Sequence, residues 1–348
     1  TLRAHNTFGF DVSTQYLVHL TQADEIPLFV QKASDQGLPW QVFGGGSNLV
    51  LAADLKGYTG LMQIMGRRLI REDPDYFYVE AMAGENWHDF VLWSLEQGYP
   101  GLENLALIPG TVGASPIQNI GAYGLEVAQV FDSLEAFDVQ NKCFVRLSHA
   151  DCAFAYRHSL FKEDPQRYIV TSVCFKLPKK WQANLTYAEL EKAYAGAKAP
   201  SAKDIFNKVC EIRSAKLPDP KVLGNSGSFF HNPVVSHEKY QELKQRFPNL
   251  IAYPYADGWK LAAGWLIDQC GLKGHRVGQL GVYEKQALVL VNHGGGTGSE
   301  LLALAQDIQD KGREMADVYL YLYCIENSLR IFIGEIMKTE MVTIPTKV

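Results

Sequence analysis

Apolar residues recur at helical spacing over residues 22–36 (Ile26, Phe29, Val30, Ala33), with Gly37 as the stop, and this predicts an amphipathic helix. The next stretch, QVFGGGSNLVL at 41–51, sets three glycines between two apolar runs and predicts a hairpin-like turn. Residues 76–82 alternate as a strand does. Residues 86–97 place Trp87, Phe90, Val91 and Leu95 on one side of a helix, with Gly98 as its C-terminal stop. Strand patterns follow at 131–137, 143–147 and 168–177, then a helix at 201–215 that Ser201 and Asp204 are suited to cap. The LPDP run at 217–220 ends that helix and marks a boundary. Beyond it, helices are expected at 236–246, 259–270 and 298–311, and strands at 277–282, 287–291, 318–323 and 330–333.

One stretch fits neither period. Between Asn104 and Leu125 the chain carries no charge, yet it holds four glycines, two prolines, Gln118 and Asn119. It is long enough for a membrane span but too broken, because backbone exposed to lipid must bond to itself. Such a composition suits buried irregular backbone wrapped around a large polar ligand that supplies hydrogen-bond partners. By itself the triple glycine at 44–46 reads first as an ordinary Gly-rich hairpin and second as a concave anion site, with Ser47 and Asn48 adding donors. It matches neither the Rossmann fingerprint nor a P-loop.

Bulk properties narrow the classes. A chain of 348 residues favours two or three domains, and 47% hydrophobic with 20% charged residues is a globular composition. A net charge of −5 gives no basic excess for nucleic acid or anionic membranes. The six cysteines are widely separated and the nine histidines are scattered, so no disulfide framework and no metal site is expected, and the thiols are read as reduced and mostly buried. TLRAHNTFGF has no apolar signal region, so a cytoplasmic location is expected. His293-Gly294-Gly295-Gly296 looks like an esterase oxyanion loop, but no G-x-S-x-G accompanies it, and Thr297 with Glu300 fits a capping box instead.

Four groups could carry chemistry. Arg157, beside Tyr156 in an apolar setting, is either a structural ion pair or a fork for a carboxylate or phosphate. Ser228, in GNSGSFFHNP, is a structural hydroxyl or a proton donor to a strongly basic intermediate. Lys216, Lys221 and Lys273 are surface lysines or diphosphate ligands, and Glu326 is a turn residue or a partly buried carboxyl.

In combination these motifs resemble the bacterial UDP-N-acetylenolpyruvoylglucosamine reductases. The resemblance rests on NTFGF at 6–10, GGGSNLVL at 44–51, GLENLALIPGTVGASPIQNIGAYG at 101–124, YRHSLFK at 156–162, KLPDPKVLGNSGSFFHNP at 216–233 and KLAAGWLIDQCGLKG at 260–274. LTYAEL at 185–190 is similar to the tyrosine loop of the type I branch. The resemblance implies an α+β chain of three domains. Residues 1–66 (with 334–348) and 67–217 (with 318–333) would form a vanillyl-alcohol-oxidase-like FAD-binding module, and residues 218–317 a smaller α+β domain for the UDP-sugar.

It also implies FAD and NADPH as cofactors, UDP-N-acetylenolpyruvoylglucosamine as substrate, and a monomer without nucleic-acid or membrane partners. NADPH would reduce FAD, and flavin N5 would pass hydride to the enolpyruvyl CH2 carbon. FAD would be held by Gly44, Gly45, Gly46, Ser47, Asn48, Leu49, Ser115, Pro116, Gln118, Asn119, Gly121, Ala122 and Tyr123. Arg157 matches the arginine facing the enolate and Ser228 the serine that protonates the adjacent carbon. Tyr156, Tyr187, Lys216, Asn232 and Lys273 match substrate-binding positions. The family's LEPEV-like segment is here CIENSLRIFIG. Its catalytic carboxylate is assigned to Glu326, with Glu335 as the weaker candidate. A weakened FAD- and UDP-sugar-binding protein, or another flavin oxidase of this fold, are the alternatives.

Overall fold

A computed structural model describes residues 1–196 and 198–317. The strand patterns at 318–323 and 330–333, and Glu326 and Glu335, lie outside the described residues. The chain divides into two compact units: Thr1–His5, Ser13–Ser47 and Asp54–Lys216 form the first, and Asn6–Val12, Asn48–Ala53 and Leu217–Val348 the second.

The first unit opens with a three-stranded sheet in which Leu55–Met62 lies between Thr14–Leu20 and Trp40–Phe43, parallel to both. The helix Glu25–Asp35 carries the chain from one edge strand to the other, burying Ile26, Phe29 and Ala33, and residues 44–54 bring it back to the central strand. This corrects the hairpin expected at 41–51. Trp40–Phe43 pairs forward with Leu55–Met62, and residues after Gly46 return through no ladder. Val50 and Leu51 are buried, but in the second unit, where the Leu51 carbonyl lies against Gly298 and the Ala52 carbonyl accepts the Ser299 hydroxyl at 2.9 Å.

A five-stranded antiparallel sheet follows, in the order Arg67–Glu72, Tyr76–Met82, Tyr168–Pro178, Phe131–Asp138, Cys143–Ser148. Its central strand is buried on both faces, as its Val-, Ile- and Phe-rich run demands. The helix Trp87–Glu96 packs Trp87 and Phe90 against Phe175, with ring centroids 5.7 and 5.2 Å apart. The helix Ala202–Lys216 buries Ile205, Phe206 and Val209. Its predicted cap is present: the Asp204 amide donates to the Ser201 hydroxyl at 3.2 Å, and the Ser201 amide returns a bond to the Asp204 carboxylate at 2.9 Å. Two hydrophobic clusters fill this unit. One is built on Ile26, Phe29, Tyr58 and Met62, the other on Trp87, Phe90, Phe175 and Val209.

The second unit has a four-stranded antiparallel sheet, ordered Gly224–Ser228, Val289–Asn292, Leu280–Val282, Arg276–Val277. A three-stranded sheet sets Gly258–Leu261 between Val234–Ser236 and Ala252–Tyr255. The helix expected at 259–270 is therefore shorter, Ala263–Gln269, because Trp259, Lys260 and Leu261 are engaged on both sides as a central strand. The strand expected at 277–282 is a hairpin, broken at Gly278 where φ is +58°. The Thr297–Glu300 capping box opens the helix Gly298–Ala316, so the preceding glycines are its approach.

Asn6–Val12 is part of this second unit. Asn6 brackets its own turn, accepting from the Phe10 amide at 2.9 Å and donating to the Phe10 carbonyl at 3.0 Å. Phe8 and Phe10 stack at 5.1 Å, and Phe8 meets Phe229 edge-on. Of the five described cysteines, all free, only Cys152 and Cys174 are buried, and burial pushes both thiols up to about 12. Cys143 is exposed and Cys210 and Cys270 are half-buried, a correction to the reading of mostly buried thiols.

Candidate functional site

In the first unit the two uncharged Gly-rich segments lie against each other. A Cβ on Gly44 would stand 2.4 Å from Thr111 Oγ1, one on Gly45 3.0 Å from Gly110 Cα, and one on Gly110 2.8 Å from Ser47 Oγ. These glycines therefore serve the approach of one loop to the other. Gly46 turns with φ +61° and Gly110 with φ +116°.

The segment 104–125 is held from several sides. The Trp87 indole donates to the Leu105 carbonyl at 2.8 Å, and the Trp87 amide to the Gly110 carbonyl at 3.1 Å. Pro116 carries its carbonyl to the Asn119 amide at 3.2 Å. Gly121–Ala122 pairs with Leu125–Glu126 across a two-residue turn, Tyr123-Gly124, in which both φ values are positive, +49° and +83°. That is the condition of a type I′ hairpin turn. A Cβ on Gly124 would meet Thr186 Oγ1 at 2.2 Å, so the adjoining residue must be glycine.

Against this backbone order, three side-chain atoms of the same stretch are buried without a hydrogen-bond partner among the described residues: Asn104 Oδ1, Ser115 Oγ and Gln118 Oε1. Ser115 is 1% exposed and Gln118 7%. A buried polar atom without a partner costs about 1–3 kcal/mol, and atoms of this kind are completed by ordered water or by a bound ligand. The hydroxyl and amide groups of this stretch, with its loop N–H groups, suit a dinucleotide with a heteroaromatic ring.

Arg157 occupies the second position of a tight turn closed by two bonds between Ala155 and His158, with φ +54°. Its guanidinium donates to the Asn119 carbonyl at 3.2 Å and the Gly121 carbonyl at 2.6 Å, and stands 4.0 Å from Glu126. The side chain is 15% exposed, so the structure places it inside the loop that the sequence marked. Leu107, Asn119, Tyr123 and Arg157, all non-glycine, all have positive φ. Backbone strain gathered in one place is characteristic of functional sites.

Asn119 is fully engaged, donating to Glu126 at 2.9 Å and to the Ala155 carbonyl at 3.1 Å, and accepting from the Ala128 amide at 2.9 Å. Its side chain organises the loop. Tyr123 meets Tyr187 edge-on at 4.8 Å, and burial pushes its hydroxyl up to about 12. Tyr187 is 41% exposed, Tyr156 lies under the Arg157 guanidinium at 5.1 Å, and Lys216 is ion-paired with Glu189.

In the second unit, Ser228 ends the strand Gly224–Ser228 in an exposed position, after a bulge at which Gly227 has φ +73°. Asn225 builds that bulge: its side chain donates to the Pro218 and Leu223 carbonyls and accepts the Gly227 amide. Asn232 Oδ1 accepts the Ala263 amide at 2.9 Å, at the start of the next helix. Lys273 is exposed on the loop after that helix. Asn48 and Leu49 also belong to this unit, the boundary passing after Ser47.

Two residues of the first unit were not singled out from the sequence. His88 Nδ1 accepts the Leu107 amide at 3.0 Å, and Arg213 Nε donates to the Leu107 carbonyl at 3.2 Å. Arg213 also opposes, in part, the upward push that burial gives the Tyr123 hydroxyl. Among the described residues no cluster of three His, Cys, Asp or Glu could hold a metal, and no helix is long and apolar enough to cross a membrane.

Comparison with known proteins agrees with this geometry. Residues 14–143 match the family described as FAD binding domain, and residues 219–322 the family described as UDP-N-acetylenolpyruvoylglucosamine reductase, C-terminal domain. The fold and the loop site define an FAD-binding oxidoreductase of α+β architecture. A UDP-N-acetylenolpyruvoylglucosamine reductase of Polynucleobacter asymbioticus is 55% identical over 92% of this chain and 93% of its own, and one of Paraburkholderia xenovorans is 51% identical over 92% and 94%. The chain belongs to the UDP-N-acetylenolpyruvoylglucosamine reductase family. In fold it is similar to the crystal structure of UDP-N-acetylenolpyruvylglucosamine reductase from Thermus caldophilus, with a TM-score of 0.61, 23% identity and 92% and 95% of the two chains covered.

Proposed function

We propose that the chain reduces the enolpyruvyl ether of UDP-N-acetylglucosamine to UDP-N-acetylmuramate, a precursor of peptidoglycan, through the groups assembled at its two Gly-rich loops and on the Gly224–Ser228 strand. The observation that carries the reading is the joint one: a family relative at 55% identity over 92% of the chain, and three orphaned polar atoms on the stretch that would face the cofactor. When bound, FAD would supply the hydride chemistry that links NADPH to the terminal carbon of the enolpyruvyl double bond.

The chain's own residues do the rest. Ser115 and Gln118 would complete their hydrogen bonds on FAD, and the 44–49 loop with Pro116, Asn119, Gly121, Ala122 and Tyr123 would help hold it. Arg157 places positive charge where the enolate develops. Its guanidinium is fixed by two carbonyls before substrate arrives, so it reorganises little. Ser228 gives its proton to the carbon beside the carboxylate. The neighbouring bulge presents that hydroxyl to the outside of its strand. Lys216 exchanges Glu189 for a substrate phosphate, while Tyr156, Tyr187, Asn232 and Lys273 fix the nucleotide sugar. Glu326 is the third catalytic group and lies outside the described residues.

A monomeric state, a cytoplasmic location beside NADPH and the nucleotide sugar, and the three-domain division at 66/67 and 217/218 belong to the same proposal. The test is the anaerobic visible spectrum through two additions. NADPH bleaches the flavin bands, and UDP-N-acetylenolpyruvoylglucosamine then restores them. Bleaching without recovery would contradict the assigned substrate.

A further inference from the structure

We propose that His88 is a positioning residue of the flavin cradle, holding Leu107 in its left-handed conformation as a hydrogen-bond acceptor and therefore only as neutral imidazole. The inference rests on the reading of residues 104–125 as the FAD site. Leu107 is the first strained residue of that stretch, with φ +58°, a conformation that disfavours a γ-branched side chain unless its surroundings impose it. Both of its backbone polar groups are taken by side chains: the N–H by His88 Nδ1 at 3.0 Å, the carbonyl by Arg213 Nε at 3.2 Å. Three residues later Gly110 closes on Ser47 and Gly45, so a change at Leu107 is passed to the junction of the two loops.

An imidazole nitrogen that accepts a backbone N–H carries no proton, so the tautomer is fixed with hydrogen on Nε2. His88 stacks on Phe206 with centroids 5.2 Å apart and planes at 12°. Its surroundings oppose protonation. Burial lowers its pKa first, and Arg213 and Lys203 on the helix Ala202–Lys216 lower it further, whereas Asp89, its neighbour on its own helix, raises it. Cys210, on the same facing helix, stays a neutral thiol because burial raises its pKa. A histidine whose pKa is lowered in the fold contributes fully above its ordinary value of 6.5, and the contribution is lost as pH falls below that value. An imidazolium would donate from both nitrogens, leaving the Leu107 amide unpaired beside the Arg213 charge.

The test is the dissociation constant of FAD, read by flavin fluorescence on apoprotein between pH 7.5 and 5.5, with circular dichroism as a control of folding. Wild type is expected to weaken severalfold, and only at pH below 6.5, because His88 titrates from a lowered pKa in the fold. His88→Phe keeps the stack on Phe206 and removes the acceptor. It should bind FAD about tenfold more weakly at pH 7.5 and show no further loss. His88→Asn retains an acceptor oxygen that does not titrate, and should bind nearly as wild type does at pH 7.5 with a flat profile. A His88→Phe protein that binds like wild type, or a His88→Asn protein with the wild-type pH slope, would overturn the role of His88 alone. Wild type that binds no FAD at any pH would overturn the cradle and His88 together.

Discussion

The loop cradle of the first unit and the Ser228 strand of the second are built on opposite principles. In the cradle the backbone is pinned, four non-glycine residues are held at positive φ, and three side-chain atoms are buried without partners. On and beside the strand, polar side chains bond the protein itself: Asn225 on the strand satisfies two carbonyls and an amide, Asn292 on the neighbouring strand donates to the Phe8 carbonyl at 2.9 Å, and Asn6 ties its own turn. On the proposed reading FAD completes the cradle, whereas the strand is held by its own side chains and carries the Ser228 hydroxyl in an exposed position. A cofactor site can be strained and incomplete because bound cofactor repays the deficit through mass action. A proton-donor site that meets substrate only transiently has no such support and must be stable by itself.

The largest effect that sharpens this contrast is chemical. Ser228→Ala removes an exposed hydroxyl and leaves the Asn225 network intact, so it should unfold with the wild-type midpoint, within about 0.5 kcal/mol. Its turnover should nevertheless fall by about 100-fold or more. Calorimetry beside steady-state NADPH oxidation reads both. A large loss of stability would show that the strand is not independent of its hydroxyl.

The next effect is structural. Gly110→Ala adds a Cβ 2.8 Å from Ser47 Oγ at φ +116°, and should destabilise the first unit by roughly 2–3 kcal/mol. It should also lower flavin occupancy, measured as the absorbance ratio of purified protein. An unchanged ratio would separate the meeting of the loops from cofactor binding.

The parts of this contrast were unequally legible in sequence. An uncharged, Gly- and Pro-rich stretch is rare enough to mark the 104–125 loop, and Ser201/Asp204 and Thr297/Glu300 announce their caps because capping is a local matter. Residues 41–51 read as a hairpin, whereas Trp40–Phe43 pairs in parallel with Leu55–Met62, since two apolar runs around glycines look alike whether the chain returns or crosses over. Trp259 and Leu261 were absorbed into an expected helix because a short apolar run fits either period. His88 and Arg213 left no signal. Each is a single polar residue in an amphipathic helix, and its partner is the backbone of Leu107, 19 and 106 residues away. The triple glycine reads first as a hairpin and second as an anion site, while at Gly44 and Gly45 the structure sets the second loop against the backbone.

The central claim is that Ser115 and Gln118 are left unsatisfied for a flavin. It is tested most directly by measuring apoprotein stability and FAD affinity together in the Ser115→Ala/Gln118→Leu double variant. Removing both orphaned atoms should leave the apoprotein as stable as wild type or up to about 2 kcal/mol more stable, while FAD binding weakens by at least about tenfold. An apoprotein that loses stability, or FAD affinity that does not change, would contradict the account.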